Sequence, residues 1–413
     1  MLAVASGIVS AKGRAPLTTP THPSPGGPPL RPAPGGPKRP GSWRRGPRWA
    51  WLAVIFGAVL VIFSGGGYLT FTTVLNHYAG QITHKGGLGD AGATGTSIDG
   101  PINLLLVGID ERSDDPDSGA RADSIIVAHV PASHDAVYLA SIPRDSLVDI
   151  PEFSDTNYAG GKDKINAAFQ FGFQNNGGRD KGLELLANTV SQLSGGLKFN
   201  GAAIINFEGL RKMIRAVGGI NMCVDEKVTS IHIGWNTVTG KEGVPYVLND
   251  DGTVAYRKQN YRAQVYYPGC RGFNDWQALD YARQRDLLAN HDADYGRQRH
   301  QQQLIRAILT KTTSSGVIAN PLKVNKVLNS LSGALSFYNQ KVSVADWIFT
   351  LKDIKPSQMT MLKTNGGKFN PETVDGRSYE VLSDTSLQLF QAMTNDDVAS
   401  FVAANPTWVT PTA

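Results

Sequence analysis

Six charged side chains, Asp110, Arg112, Arg121, Asp123, Arg144 and Asp145, each stand at or near the end of an apolar run. Carboxylates can hold a divalent cation, and guanidinium groups can grip phosphate oxygens through paired N–H donors. Acid and arginine gathered at the ends of buried strands therefore point to a metal and a phosphate-bearing ligand. A set of surface salt bridges is the plain alternative. A second charged stretch, DYARQRDLLANHDADYGRQRHQQQ over residues 280–303, adds Arg283, Arg285, Arg297 and Gln301.

Three elements must position the first group. Ile102–Gly108, Ser124–Val130 and Ala136–Ile142 are rich in Val, Ile and Leu and bounded by turn residues, as buried strands are. The short connection around Pro131–Asp135 predicts an antiparallel hairpin between the second and third. With the first strand also antiparallel, the charged ends meet at one edge of a sheet. For the second group, Asn274 caps a helix, DWQALDYAR. Arg283 and Arg285, two apart, share a face only on extended chain, so that helix should end near Ala282. The next helix should start near Tyr295, with Leu304, Ile305, Ile308 and Leu309 as its apolar stripe. Arg297 and Gln301 lie on the side of that stripe; an inward arginine needs an anion, unless it snorkels to solvent.

Elsewhere the pattern predicts helices at Ala167–Phe173, Gly182–Leu193 and Phe207–Val217, and strands at Phe199–Asn206 and Ile220–Val224. Residues 225–272 form a lobe or long loop. Leu322–Leu335, Val344–Leu351, Ser383–Ala392 and Asp396–Ala403 read as helices, and Met359–Leu362 as an edge strand.

The 413-residue chain carries a net +5, but residues 1–49 hold eight basic side chains and no acid, which leaves −3 for the remainder. The basic excess sits in a tail, so composition gives no support for a nucleic-acid-binding globular domain. Residues 1–48 are Pro- and Gly-rich and read as a disordered cytoplasmic tail. An uncharged stretch, Trp49–Leu69, is long enough to span a bilayer, giving a transmembrane helix over 49–71. Arg44, Arg45 and Arg48 precede it, which puts the N-terminus inside and the catalytic part outside. A cleaved signal peptide and a buried helix are the rival readings. A Gly-rich linker follows over 72–100. Cys223 and Cys270, both in the exported part, favour a disulfide over two buried thiols.

The motifs NLLLVGIDER, RADS, SIPRDS, KINAAF, FEGLRKMIRAVGGINMCV, ALDYARQRD and DYGRQRHQQ resemble, in order and spacing, the LytR-CpsA-Psr family of cell-wall glycopolymer ligases. The resemblance covers roughly residues 101–312. The Pro-rich tail and the cysteine pair look like actinobacterial members. It implies an α/β fold, an α/β/α sandwich with a central mixed sheet that encloses an apolar pocket for a polyprenyl tail. Beyond the resemblance, the helices read after residue 320 make 313–405 a helical extension packing on that domain, with a tail at 406–413. The implied reaction moves a glycopolymer, with one phosphate, from polyprenyl pyrophosphate to a peptidoglycan hydroxyl. Arabinogalactan, teichoic acid and capsular polysaccharide are all open as the polymer.

Carried over by position, Asp110 and Asp123 would hold Mg²⁺, with Mn²⁺ as an alternative. Arg112, Arg121, Arg144, Arg283, Arg285 and Arg297 would act on the pyrophosphate, with Lys164 and Gln301 binding substrate. Asp145 is no more than a weak candidate for a general base. Two departures from the family pattern stand out: Ala122 where Ser is usual, and His300 where a second arginine is usual. The apolar stripes at 183–193 and 304–309 read first as core, from which a lipid pocket would borrow positions. A non-catalytic polymer- or lipid-binding protein and a lipid-pyrophosphate hydrolase are the competing functions.

Overall fold

The three apolar runs form the middle of the sheet, as their β-branched composition demands. In this computed structural model the described residues are 83–84, 87–95, 98–110, 120–249, 252–314, 327, 330–331, 333–340, 342, 344–351 and 353–411. Strand β1 (Thr83–His84) is followed by β2 (Ile102–Asp110), β3 (Arg121–Val130) and β4 (Val137–Ile142). A hairpin of β5 (Leu147–Ile150) and β6 (Gly161–Lys164) leads into helices α1 (Ile165–Phe173) and α2 (Gly178–Leu193). Then come β7 (Gly201–Asn206), α3 (Phe207–Ala216) and β8 (Ile220–Val224).

The region 225–272, left open between lobe and loop, is a lobe of short strands: β9 (Val228–Asn236), β10 (Glu242–Gly243), β11 (Tyr246–Leu248), β12 (Val254–Arg257), β13 (Tyr261–Tyr266) and β14 (Gly269–Phe273). Cys270 sits opposite Cys223 in the β14–β8 register, and the two form a disulfide that ties the lobe's end to the core. Helices α4 (Asp275–Arg283) and α5 (Ala293–Ser314) follow. The last elements are β15 (Leu335–Tyr338), α6 (Val344–Leu351), β16 (Met359–Leu362), β17 (Pro371–Val374), β18 (Arg377–Glu380), α7 (Asp384–Thr394) and α8 (Val398–Ala404).

The main sheet is mixed, in the order β1-β15-β7-β2-β3-β4-β16. β2, β3 and β4 are antiparallel neighbours, as the hairpin argument requires, while β7 runs parallel to β2 and β16 parallel to β4. One face carries Leu105, Val107, Ile109, Ile125 and Val127, packed with Phe169 of α1 and Leu183, Leu186 and Val190 of α2. The other carries Ile102, Ile126, Ala128 and Leu139, with Trp347 of α6. A third apolar cluster joins β8, α4 and α5 through Met222, Tyr281 and Leu304.

Three expected boundaries are corrected. The division at 312–313 separates strands that pair in one sheet, since β15 and β16 complete it; sheet pairing at long range is invisible to a local pattern. The linker at 72–100 is partly structural: Leu88 and Ala91 are buried in the core and Gly92 bridges to Phe199. The tail at 406–413 is partly packed, with Thr410 buried and its N–H donating to the Met361 carbonyl at 2.7 Å. Residues 1–48, the stretch 49–71 and Arg112 lie outside the described residues. Among the described residues no helix is long and apolar enough to cross a membrane.

Candidate active site

Asp123 owes its position to an irregularity that strand propensity does not foretell. Gly108 pairs with Ser124, but Ile109 pairs with Ala122, so Asp123 has no residue across from it. Such a bulge bends the strand and re-aims a side chain. Gly108 makes it possible: a Cβ there would come within 3.0 Å of the Ser124 Cβ. Asp110 ends β2 as the Cα partner of Arg121, so the two expected metal carboxylates sit on adjacent strand ends.

Arg144 follows β4 and donates from Nη1 to Asp123 Oδ1 at 2.6 Å. Its Nε lies 3.7 Å from Asp145, whose other oxygen meets Lys164 Nζ at 2.9 Å. Burial alone would raise the Asp145 carboxyl. The Lys164 hydrogen bond and the Arg144, Lys164 and Arg297 charges outweigh it and hold the group below its ordinary value.

Arg297 reaches this cluster from the second turn of α5. It is 6% exposed and paired with Asp294 one turn before it. Burial pushes its guanidinium down from the ordinary arginine value; Asp294 and Asp123 oppose this, and Arg144 and Arg285 reinforce it. It stays cationic, because arginine has no accessible neutral form. The Nε atoms of Arg144 and Arg297 are both buried without a hydrogen-bond partner among the described residues. Buried donors are nearly always satisfied, so two unsatisfied guanidinium donors beside one another call for an anionic ligand.

Arg283 and Arg285 leave α4 as the spacing predicts. The helix ends at Arg283 and Gln284 is extended. Asn274 caps the other end, accepting from Gln277 N–H at 3.0 Å. Gln284, fully buried between the two arginines, accepts from Ile231 N–H at 3.0 Å and donates to Asp280 Oδ1 at 2.7 Å. Arg283 stacks on the Phe207 ring with 4.4 Å to the centroid. Arg285 lies 3.7 Å from Asp286.

Behind these side chains is an apolar cavity of about 270 Å³ between β2, β3 and β7 on one side and α3, α4 and α5 on the other. Leu106, Ile126, Ala203, Leu304, Ile305 and Ile308 are among its walls; Ser124, Gln301 and Arg283 supply polar atoms. Ser124 Oγ donates to Gln301 Oε1 at 2.9 Å. Thus the stripe at 304–309 lines an open space, whereas the stripe at 183–193 is solid core.

The structure therefore joins Asp123, Arg144 and Lys164 through Asp145, places the Arg297 charge near them with Asp294 as its partner, and sets Arg283 and Gln301 on the cavity wall. Arg121 opens β3 across from Asp110. It is exposed, and its Nε donates to Gln170 Oε1 of α1 at 2.8 Å, which orients it by the helix rather than by the acids.

Sequence reasoning missed Asp294, Ser124, His232 and Asp280. Asp280, the second residue of LDYAR, is buried. Burial raises its carboxyl to about 6 against hydrogen bonds from Tyr266, Ser230 and Gln284. A buried acid inside an apolar helix stripe was the available signal. His232 is lowered to about 4, by burial first and then by the Arg283 and Arg285 charges.

The chain belongs to the LytR_cpsA_psr family, whose model matches residues 73–396. It is 28% identical over 292 residues to the polyisoprenyl-teichoic acid–peptidoglycan teichoic acid transferase TagU of Enterococcus faecalis, covering 70% of this chain and 78% of that one. It is 31% identical over 246 residues to the probable cell wall biosynthesis protein LcpB of Corynebacterium glutamicum, covering 57% of this chain but 47% of that longer protein. Among solved structures, Bacillus subtilis TagV matches with a TM-score of 0.51 at 22% identity, over 73% of this chain and 99% of its own. The Streptococcus agalactiae protein gbs0355 matches with a TM-score of 0.53 at 24% identity, over 73% and 88%. These likenesses establish the mixed α/β fold.

Proposed function

We propose that this chain is a phosphotransferase that moves a glycopolymer, with one phosphate, from a polyprenyl-pyrophosphate carrier to a hydroxyl of peptidoglycan. The observation that carries the reading is the pair of unsatisfied guanidinium donors, Arg144 Nε and Arg297 Nε; Ser124, next to the Arg144 partner Asp123, and Gln301, one turn after Arg297, line an apolar cavity. An amphiphile with an anionic head and a hydrocarbon tail fits both halves. The name of the Enterococcus relative supplies the same carrier type and acceptor.

In this reaction the acceptor oxygen forms a bond to the phosphorus that bears the glycan. The bridging P–O bond to the lipid phosphate breaks, and the acceptor proton passes to a base or to solvent. Arg144, Arg297 and Arg285 bind the pyrophosphate oxygens and stabilise the charge that gathers on them. Asp123 and Lys164 hold Arg144 and Asp145 in place at 2.6 and 2.9 Å. Asp145, kept below its ordinary carboxyl range, is a weak base, and its part is to orient Arg144 and Lys164. Arg283, Ser124 and Gln301 meet the first polar part of the carrier, and Ile305 and Ile308 take its tail.

Asp110 and Asp123 offer hard carboxylate oxygens from adjacent strand ends, a donor set that suits Mg²⁺ or Mn²⁺. Bound there, the cation would supply neutralisation of phosphate charge. The family motif alone assigns Arg112 to the same pyrophosphate. We place the chain in the cytoplasmic membrane by residues 49–71, with the sheet domain outside, because both carrier and acceptor are reached from that side.

Transfer of a lipid-pyrophosphate-linked saccharide to a peptidoglycan fragment tests the reading, with Arg297→Met as control. Linked product from the parent chain and none from the variant is expected. Tight lipid binding by both without turnover would replace it with a binding protein.

A further inference from the structure

One flank of α5 meets the end of β8 in a cluster that the reaction does not use. Asp225, Glu226 and Asp292 surround Arg299, which pairs with all three carboxylates. Three carboxylates against one guanidinium leave a formal −2 when the adjacent imidazole is neutral. That imbalance is costly in a partly buried place, where Glu226 is 4% exposed. His300 faces the same carboxylates and is fully buried, and neither ring nitrogen has a hydrogen-bond partner among the described residues.

The distances show what is missing. His300 Nε2 lies 3.5 Å from Glu226 Oε1 and 3.7 Å from Asp225 Oδ1. Both are long for a hydrogen bond. They are close to the ~3.4 Å that separates two ligands of a tetrahedral zinc ion bonded at about 2.0–2.1 Å. The three ligand atoms all lie within 4.8 Å of one another.

We propose that Asp225, Glu226 and His300 bind a divalent transition-metal ion of the zinc type. An imidazole with two carboxylates selects such an ion over Mg²⁺ or Ca²⁺, which prefer all-oxygen sites. Outer contacts already orient the ligands. Tyr281 OH donates to Asp225 Oδ1 at 3.2 Å while its ring lies 4.2 Å from the His300 ring. Asn290 N–H donates to Glu226 Oε2 at 2.7 Å, Arg299 Nε holds Asp225 Oδ2, and Arg299 Nη2 shares Glu226 Oε1 with the ion. The dication cancels the −2. It also ties the end of β8 to α5 one turn from Arg297, so it serves as a clamp beside the phosphate site.

The test uses the untagged full chain in detergent, stripped with chelator, dialysed against buffered ZnCl₂, and read by metal content, zinc X-ray absorption and Tm. One zinc per chain with a single imidazole in its shell is expected, together with a Tm raised by zinc. His300→Arg puts a guanidinium between the same carboxylates, so that variant should fold, hold no zinc and show no zinc-dependent Tm. Asp225→Asn should weaken binding by more than the roughly tenfold to hundredfold typical of outer-shell changes. Asp123→Asn, at the phosphate site, should keep its zinc. No zinc in the parent chain, equal zinc in His300→Arg, or loss of zinc in Asp123→Asn would overturn the proposal.

Discussion

Ala203 offers the sharpest probe of the cavity. It sits on β7 with its methyl on the cavity wall, opposite Ile305 and Ile308 of α5. Ala203→Leu adds three carbons to a space of about 270 Å³, which can take them without moving the backbone. Each methylene of a lipid tail displaced from an apolar site forfeits about 0.8 kcal/mol, so three displaced groups forfeit about 2.4 kcal/mol. That is roughly a fiftyfold loss of affinity. The loss should fall on long-chain polyprenyl pyrophosphates and spare a short-chain analogue whose tail does not reach β7. Filling an empty apolar space should leave the fold as stable as before, or more so. The assay is fluorescence competition for binding of the long and short carriers, beside a urea melt of each protein. Equal losses for both carriers would place the tail elsewhere, and no loss for either would refute the argument.

Three further outcomes follow from the same geometry. Arg144→Lys keeps a cation for Asp123 but loses the planar fork and its buried Nε, so kcat for transfer should fall by about 10²–10³ with a smaller change in KM. His232 has a folded value of about 4 against its ordinary 6.5, so the unfolded chain takes up the proton first as pH falls. Its stabilisation is present above pH 6.5 and lost as pH falls towards 4, by at most about 3 kcal/mol. His232→Gln should flatten that part of the pH dependence in urea melts at pH 7 and 4.5. Cys223→Ser opens a loop of 47 residues and should cost up to about 4 kcal/mol by the chain-entropy argument, read as a lowered urea midpoint that reducing agent lowers no further.

What the residues revealed in advance, and what they withheld, divides along a physical line. The runs around Ile125 and Leu139 declared themselves because a doubly covered strand must be apolar on both faces. The end of α4 was legible because Arg283 and Arg285 cannot share a face within a helix, and the capping box at Asn274 set its start. The bulge at Asp123 was not legible, because a one-residue offset exists only in the pairing of two strands. Periodicity put Leu304, Ile305 and Ile308 on one face of α5, yet it gives the same stripe to Leu183, Leu186 and Val190, which are packed solid. Whether space remains behind a stripe depends on what the facing elements contribute. Likewise Arg121 lies across from Asp110 but is turned to Gln170, a partner supplied by the fold rather than by its neighbours in the chain.

The central claim is that the bond broken lies between the two phosphates of the carrier. The direct measurement is the fate of each phosphorus when the purified full chain acts on a lipid-pyrophosphate-linked saccharide labelled separately at its two phosphates, with peptidoglycan fragment and Mg²⁺. The account predicts that the glycan-side phosphorus appears in a phosphodiester to peptidoglycan and the lipid-side phosphorus in lipid monophosphate. Both phosphates remaining on the lipid, or the glycan-side phosphate released into water with acceptor present, would contradict it.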